Sequence, residues 1–204
     1  EIESGLEATF AEEEVIPDLA EELRDMYAPF ECPNDIDSGE LPPVSDRELR
    51  LVDAIKEGLE QSMERHQDLV IMGQDVAEYG GVFKITEGFV EKFGKGRVRN
   101  TPITESSILG AGYGLSIAKQ KAVVEMQFAD FVTCGYNQIV NNLAKSHYRW
   151  GQPANVVVRM PTGAGVQAGP FHSQSTEAWF YHVPGLKLYY PSTAADAKGL
   201  LLRA

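Results

Sequence analysis

Four short apolar runs, "DLVIMG" (68–73), "KAVVEMQF" (121–128), "NVVVRMP" (155–161) and "LKLYYP" (186–191), each give way to a turn-rich segment and then to helical spacing. Such runs lack the in-out alternation of a half-wetted strand, so they suit strands buried on both faces. Strand, loop and helix in repetition imply an α/β fold: a mainly parallel sheet with helices on both faces. In such sheets ligands sit beyond the carboxyl ends of the strands. The loops after Gly73, Gln127 and Met160 are therefore where chemistry is expected.

Helical segments frame these runs. "SDRE" reads as a capping box in which Ser45 caps an amide and Glu48 reaches back, with Val52, Ile55, Leu59 and Met63 on one face behind it. Tyr136, Ile139, Val140, Leu143 and His147 mark a second helix, and "STAADAKGLLL" (192–202) a third behind a hydroxyl cap. Upstream, Leu19, Leu23 and Met26 keep helical spacing among acids, followed by "APFECPNDIDSGELPPVS" (28–45), whose prolines and Gly39 read as a linker. The expected boundary lies near Val44, dividing an acidic arm and linker (1–43) from a domain (44–204).

Charge follows the same division. The net charge is −12, yet residues 1–43 hold 14 acidic residues against one basic, Arg24, leaving 16 acidic and 17 basic in the rest. A near-neutral body without a basic stripe argues against nucleic acid as a partner. No apolar run approaches the roughly 20 residues of a membrane span, so no membrane contact is expected. Cys32 and Cys134 show no paired spacing, which fits a reducing compartment such as the cytoplasm. The chain opens at Glu1 and closes inside a helical pattern at "DAKGLLLRA"; a piece of a longer polypeptide is the expectation.

Three stretches invite chemistry. "GAGYG" (110–114) has the wrong glycine spacing for a dinucleotide fingerprint and is better read as close helix packing. "PTGAGVQAGPFHSQSTE" (161–177) lacks the Lys-Ser/Thr of a phosphate loop but carries His172 past a strand end, where an imidazole can move protons near neutral pH. His66, His147 and His182 read as packed or surface groups, and no pair of histidines has metal-ligand spacing, so no metal site is expected. Glu105 stands where "RVRNTPIT" meets the apolar "SSILGAGYGLSIA". It can serve as a favourable charge at a helix start, or as a carboxyl walled by Ile103 and Ile108 that exchanges a proton with a ligand ring nitrogen. Residue chemistry leaves both open.

From about Leu69 onward the chain resembles the pyrimidine-binding domain of the thiamine-diphosphate-dependent 2-oxoacid dehydrogenases, in the beta subunit of the decarboxylating component, and most of all the branched-chain type. The resemblance rests on "GQDVAEYGGVFKITEGFVEKFG", "RVRNTPITESSILGAGYGLSIA", "VVEMQFADF", "NQIVNNLAKSHYRWG" and "FHSQSTEAWFYHVPGLKLYYPSTAADAKGLLL", in that order. It implies that Glu105 bonds the aminopyrimidine nitrogen of thiamine diphosphate and favours the tautomer that activates the thiazolium. It further implies that Phe131 stacks on the pyrimidine, that Gln127 and Ile103 lie beside the cofactor, and that His172 assists reductive acylation of a lipoyl group. Gln74 departs from the family, which commonly has Glu in "GQD"; it can hydrogen-bond but cannot carry a proton as a carboxyl does.

The Gly-Asp-Gly motif that holds magnesium and the diphosphate in this family does not occur in the sequence. The resemblance therefore implies a diphosphate-binding alpha-like partner domain, with the acidic arm as the tail of such a domain in a fused parent. A homodimer of that parent, a lipoyl-bearing acyltransferase partner, and inactivity of this chain by itself are further expectations. Pyruvate and acetoin dehydrogenases of the same build are the rivals, as is a cofactor-free interaction module.

Overall fold

The run at 68–73 forms β1 (Leu69–Gly73), all five residues of which are buried. In the computed structural model, which describes residues 2–14, 16–25, 27–29 and 47–204, β1 is an inner strand of a four-stranded sheet ordered β2-β1-β3-β4. β2 is Val98–Asn100, β3 is Lys121–Glu125 and β4 is Val156–Arg159. Every pairing is parallel, with Gly73 beside Asn100 and Glu125, and Glu125 beside Arg159. The strands thus end together along one edge.

Successive residues on a strand point to opposite faces, which divides the apolar run of β1 between two cores. Val70 and Met72 join Val124, Met126, Ile108, Leu109 and Val132 on one side. Leu69 and Ile71 join Val123, Val98, Leu59, Met63 and Phe89 on the other. The first side is covered by α5 (Glu105–Ile117) and the second by α3 (Leu51–Arg65), with α4 (Phe89–Phe93) beside it. The expected parallel sheet with helices on both faces is therefore present.

α7 (Ala194–Arg203) lies on α3, where Lys198 pairs with Glu57 at 2.8 Å and a Cβ added at Gly58 would already be 3.4 Å from Leu201. Its expected hydroxyl cap is Thr193, whose Oγ1 accepts the Asp196 amide at 3.1 Å. Gly112 bears out the packing reading of "GAGYG": a Cβ there would lie 2.7 Å from Val124 Cγ1, so only glycine lets α5 settle onto β3.

Several elements differ from expectation. α3 begins at Leu51, with 47–50 non-helical and Arg50 at its N-cap, its guanidinium bonded to both oxygens of Asp53 in the first turn. The capping serine, Ser45, lies outside the described residues, as do Cys32, Met26 and the boundary at Val44. The single helix read through Tyr136–His147 is broken into a π-helical stretch (Gln138–Leu143) and α6 (Ser146–Trp150), and a 3-10 helix (Ala129–Gly135) comes directly before it. Asn142 reaches back to Gln138 within the widened turn, a side-chain bond that a uniform apolar stripe does not announce. Residues 186–191 form no strand; Leu186 packs on the core while Leu188 and Tyr190 are exposed.

The arm holds α1 (Ile2–Phe10) and α2 (Leu19–Asp25). Leu19 and Leu23 are 72% and 61% exposed, so this stripe is not buried against the body. The Tyr148 hydroxyl on α6 donates to Glu22 on α2. Among the described residues no helix is long and apolar enough to cross a membrane.

Candidate functional site

The edge where β1, β3 and β4 end carries a dense polar set. β1 terminates at Gly73, where a Cβ would lie 2.8 Å from the Glu125 carbonyl, so only glycine fits this end of the β1–β3 pair. Gln74, 5% exposed, comes next, and its Nε2 donates to Glu105 Oε1 at 3.2 Å. Asp75 follows in the left-handed region (φ 57°), a conformation that Asp tolerates better than most residues. Its Oδ2 accepts the Gln127 amide at 3.2 Å. Beneath them Glu125 and Arg159 form a buried ion pair, Arg159 Nε lying 3.0 Å from Glu125 Oε2.

Glu105 is the first residue of α5 and half-buried. Both readings of it fit this placement, since it stands at the positive end of a helix and also faces a buried donor. Oε1 is taken by Gln74; among the described residues Oε2 accepts no hydrogen bond. The wall expected from Ile103 is absent in this chain. Ile103 sits on the bend before Thr104, the N-cap of α5, and is 79% exposed, whereas Ile108 one turn into the helix is buried in the core.

Phe131 and His172 come together. Phe131 rides on the 3-10 helix whose Gly135 abuts the Glu105 backbone carbonyl, 3.3 Å from the place of a Cβ. His172 packs edge-to-face with Phe131 and Phe128, at centroid separations of 5.2 and 5.0 Å, and Phe83 closes on the far side of Phe128 at 5.8 Å. The loop histidine is thus half-buried against an aromatic platform.

The remaining histidines lie elsewhere. His66 caps the C-terminus of α3, and burial, followed by the charge of Lys121, holds its imidazole below the ordinary value. His182 is exposed and His147 is on α6. Among the described residues no group of three or more His, Cys, Asp or Glu is placed to hold a metal. Sequence reasoning did not single out Asp75, Phe128, Asp130 or Gln174. The one available signal was "FADF" (128–131), two aromatics three apart around an acid directly after a buried strand.

The arrangement offers a held carboxyl with one oxygen toward the strand ends, amide groups beside it, and a ring platform bearing an imidazole. Comparison with known proteins fits it. The profile described as "Transketolase, pyrimidine binding domain" matches residues 47–204. The chain is 46% identical over 160 residues to "2-oxoisovalerate dehydrogenase subunit beta" of Bacillus subtilis, covering 76% of this chain and 48% of that one. It is 43% identical to "2-oxoisovalerate dehydrogenase subunit beta 2, mitochondrial" of Arabidopsis thaliana, covering 78% and 45%. With "Pyruvate dehydrogenase E1 component subunit beta" of Acholeplasma laidlawii the identity is 41%, covering 76% and 48%. The chain spans about half the length of these curated relatives. Among solved structures, "Split gene transketolase, inactive beta4 tetramer" superposes with a TM-score of 0.58 at 17% identity, covering 76% of this chain and 47% of that one. The match over residues 47–204, on a parallel sheet with these strand-end residues, means that the chain belongs to the transketolase pyrimidine-binding domain family.

Proposed function

We propose that this chain supplies the pyrimidine-binding part of the decarboxylating component of a 2-oxoacid dehydrogenase, acting on branched-chain 2-oxoacids. The observation that carries the reading is the hydrogen bond from Gln74 to Glu105, which fixes a half-buried carboxyl at the strand ends with its second oxygen available. The donor set fits an aminopyrimidine: a carboxyl oxygen for a ring nitrogen, the Gln127 carboxamide nearby, and the half-buried ring of Phe131 as a stacking surface.

Thiamine diphosphate supplies the carbanion chemistry at the 2-oxo carbonyl when bound. The residues of this chain hold and orient. Glu105 holds or releases a proton at Oε2 while Gln74 keeps its other oxygen in place. Phe131 and Phe128 exclude water and support the His172 imidazole, whose proposed task is proton transfer to the lipoyl group during reductive acylation. Ile103, exposed here, is assigned to a surface covered by cofactor and partner. Magnesium and the diphosphate belong to an alpha-like domain, of which residues 1–43 are the proposed tail, and 44–204 is the pyrimidine domain. A lipoyl-bearing acyltransferase, a homodimer of the fused parent and a cytoplasmic setting complete the proposal.

The decisive experiment assays the assembled enzyme with Glu105→Gln, which keeps the side-chain shape but removes the exchangeable proton. Turnover is expected to fall by about a hundredfold or more, the scale of a lost general acid-base group. Wild-type turnover would reduce Glu105 to a helix-end charge. The pyruvate-type relative at 41% identity favours pyruvate as the second reading, and kcat/KM for 3-methyl-2-oxobutanoate against pyruvate decides between them. This chain by itself, given thiamine diphosphate and magnesium, is expected to decarboxylate neither.

A further inference from the structure

Asp130 is 6% exposed, stands between Phe128 and Phe131, and has no part in the site as drawn above. Its Oδ1 accepts the backbone N–H of Gln174 at 3.1 Å, whereas its buried Oδ2 has no hydrogen-bond partner. A buried carboxyl left half-satisfied is costly, and such groups in folded proteins call for a reason.

The surroundings supply one. The carbonyl of Gln174 accepts from Thr162 Oγ1 at 2.8 Å and from the Gly163 N–H at 3.3 Å, so the loop between them is tied to itself at its neck. Two further bonds tie that neck to the segment after β3: Ala129 N–H to the Pro161 carbonyl at 2.8 Å on the incoming side, and Asp130 to Gln174 on the outgoing side. His172 lies two residues before Gln174 and rests on the rings that flank Asp130. Of the two ties to that segment, only the one at Asp130 uses a side chain, and it holds the arm of the loop that carries the imidazole. We infer that Asp130 is a positioning residue: its carboxylate latches Gln174 and so seats His172 against Phe128 and Phe131. The significance of that seat for catalysis rests on the function proposed above; the latch itself does not.

The test is proton NMR of the full chain with labelled histidine and phenylalanine. In the wild type, His172 ring protons give cross-peaks to Phe128 and Phe131 and are displaced by their ring currents. In Asp130→Ala both features are lost, while amide signals of β1 and β3 stay in place; in Asp130→Asn, which keeps an acceptor oxygen, they persist. Should Asp130→Ala fail to fold, Gln174→Pro removes the same N–H from the exposed loop side and is expected to free His172 likewise. Retention of the cross-peaks in whichever of these two variants folds overturns the latch, as does their loss in Asp130→Asn to the extent seen in Asp130→Ala. In the assembled enzyme, Asp130→Ala is expected to slow lipoyl acylation more than decarboxylation read with a dye acceptor. If His172→Ala shows no such split although Asp130→Ala frees the ring, the role proposed for His172 falls and the latch stands.

Discussion

The carboxamide of Gln74 donates to Oε1 of Glu105 across 3.2 Å, joining the end of β1 to the first turn of α5. The donor is buried and carries no proton that it can surrender. Gln74→Leu leaves Oε1 without that donor and is expected to cost about 1.5–3 kcal/mol, the scale of a hydrogen bond to a charged group. Gln74→Glu sets two carboxylates against each other at neutral pH, and its deficit shrinks as the pH falls and one of them takes a proton. Urea denaturation of both variants at neutral and mildly acid pH reads the difference; equal deficits at both values for Gln74→Glu would contradict it.

Gly112 and Gly114 sit two residues apart on α5 and should answer oppositely to alanine. A Cβ at 112 meets Val124 at 2.7 Å, whereas nothing lies within 4 Å of one at 114. Gly112→Ala is expected to lose about 1–3 kcal/mol through overpacking, and Gly114→Ala to gain about 0.5–1 kcal/mol from helix propensity. Thermal melts of the two variants compare them directly.

The buried Glu125–Arg159 pair should be costly to break from one side. Glu125 is 3% and Arg159 12% exposed at the side chain. Arg159→Met strands the carboxylate and is expected to cost about 3–5 kcal/mol, most of which returns in the double variant Glu125→Leu/Arg159→Met. A double-mutant cycle in urea that shows no coupling would contradict this.

The seam between α3 and α7 carries a pH dependence. The hydrogen bond from Lys198 holds Glu57 below its ordinary value near 4.5, against the upward push of burial and with help from Arg47. A carboxyl that titrates lower when folded than when unfolded stabilises above its unfolded value, and this contribution is lost as the pH falls through the folded one. Glu57→Gln is therefore expected to cost about 0.5–1 kcal/mol at pH 7. The gap from wild type narrows below pH 4.5 and closes in stronger acid, as measured by denaturation midpoints.

What was legible in the sequence tracks how locally each feature is encoded. β1 reads directly, because a strand buried on both faces must be apolar throughout, and "LVIMG" is. β2 has three residues and one buried side chain, Val98, which is too little pattern to find. "LKLYYP" has a strand's composition, yet composition does not provide a partner, and the segment pairs with none among the described residues. Glu105 and Gln74 each stood out by residue type, but the bond that joins them spans 31 positions. The Asp130–Gln174 tie spans 44, and no spacing rule reaches so far. Ile103 shows the converse: nearness in sequence to Glu105 says nothing about direction, and a bend before the helix turns it outward.

Among the described residues β4 pairs with β3 alone, and because Asn155 and Arg159 turn their carbonyls toward β3, the backbone groups of Val156 and Val158 face the outer flank. Its single charged residue, Arg159, is committed inward to Glu125 and cannot repel a neighbour. A β-branched ribbon bare of surface lysine or proline is a template for recruiting foreign strands. Concentrating this polypeptide is therefore expected to favour edge-to-edge association through β4, seen as a rise in light scattering that Val156→Lys or Val158→Lys suppresses.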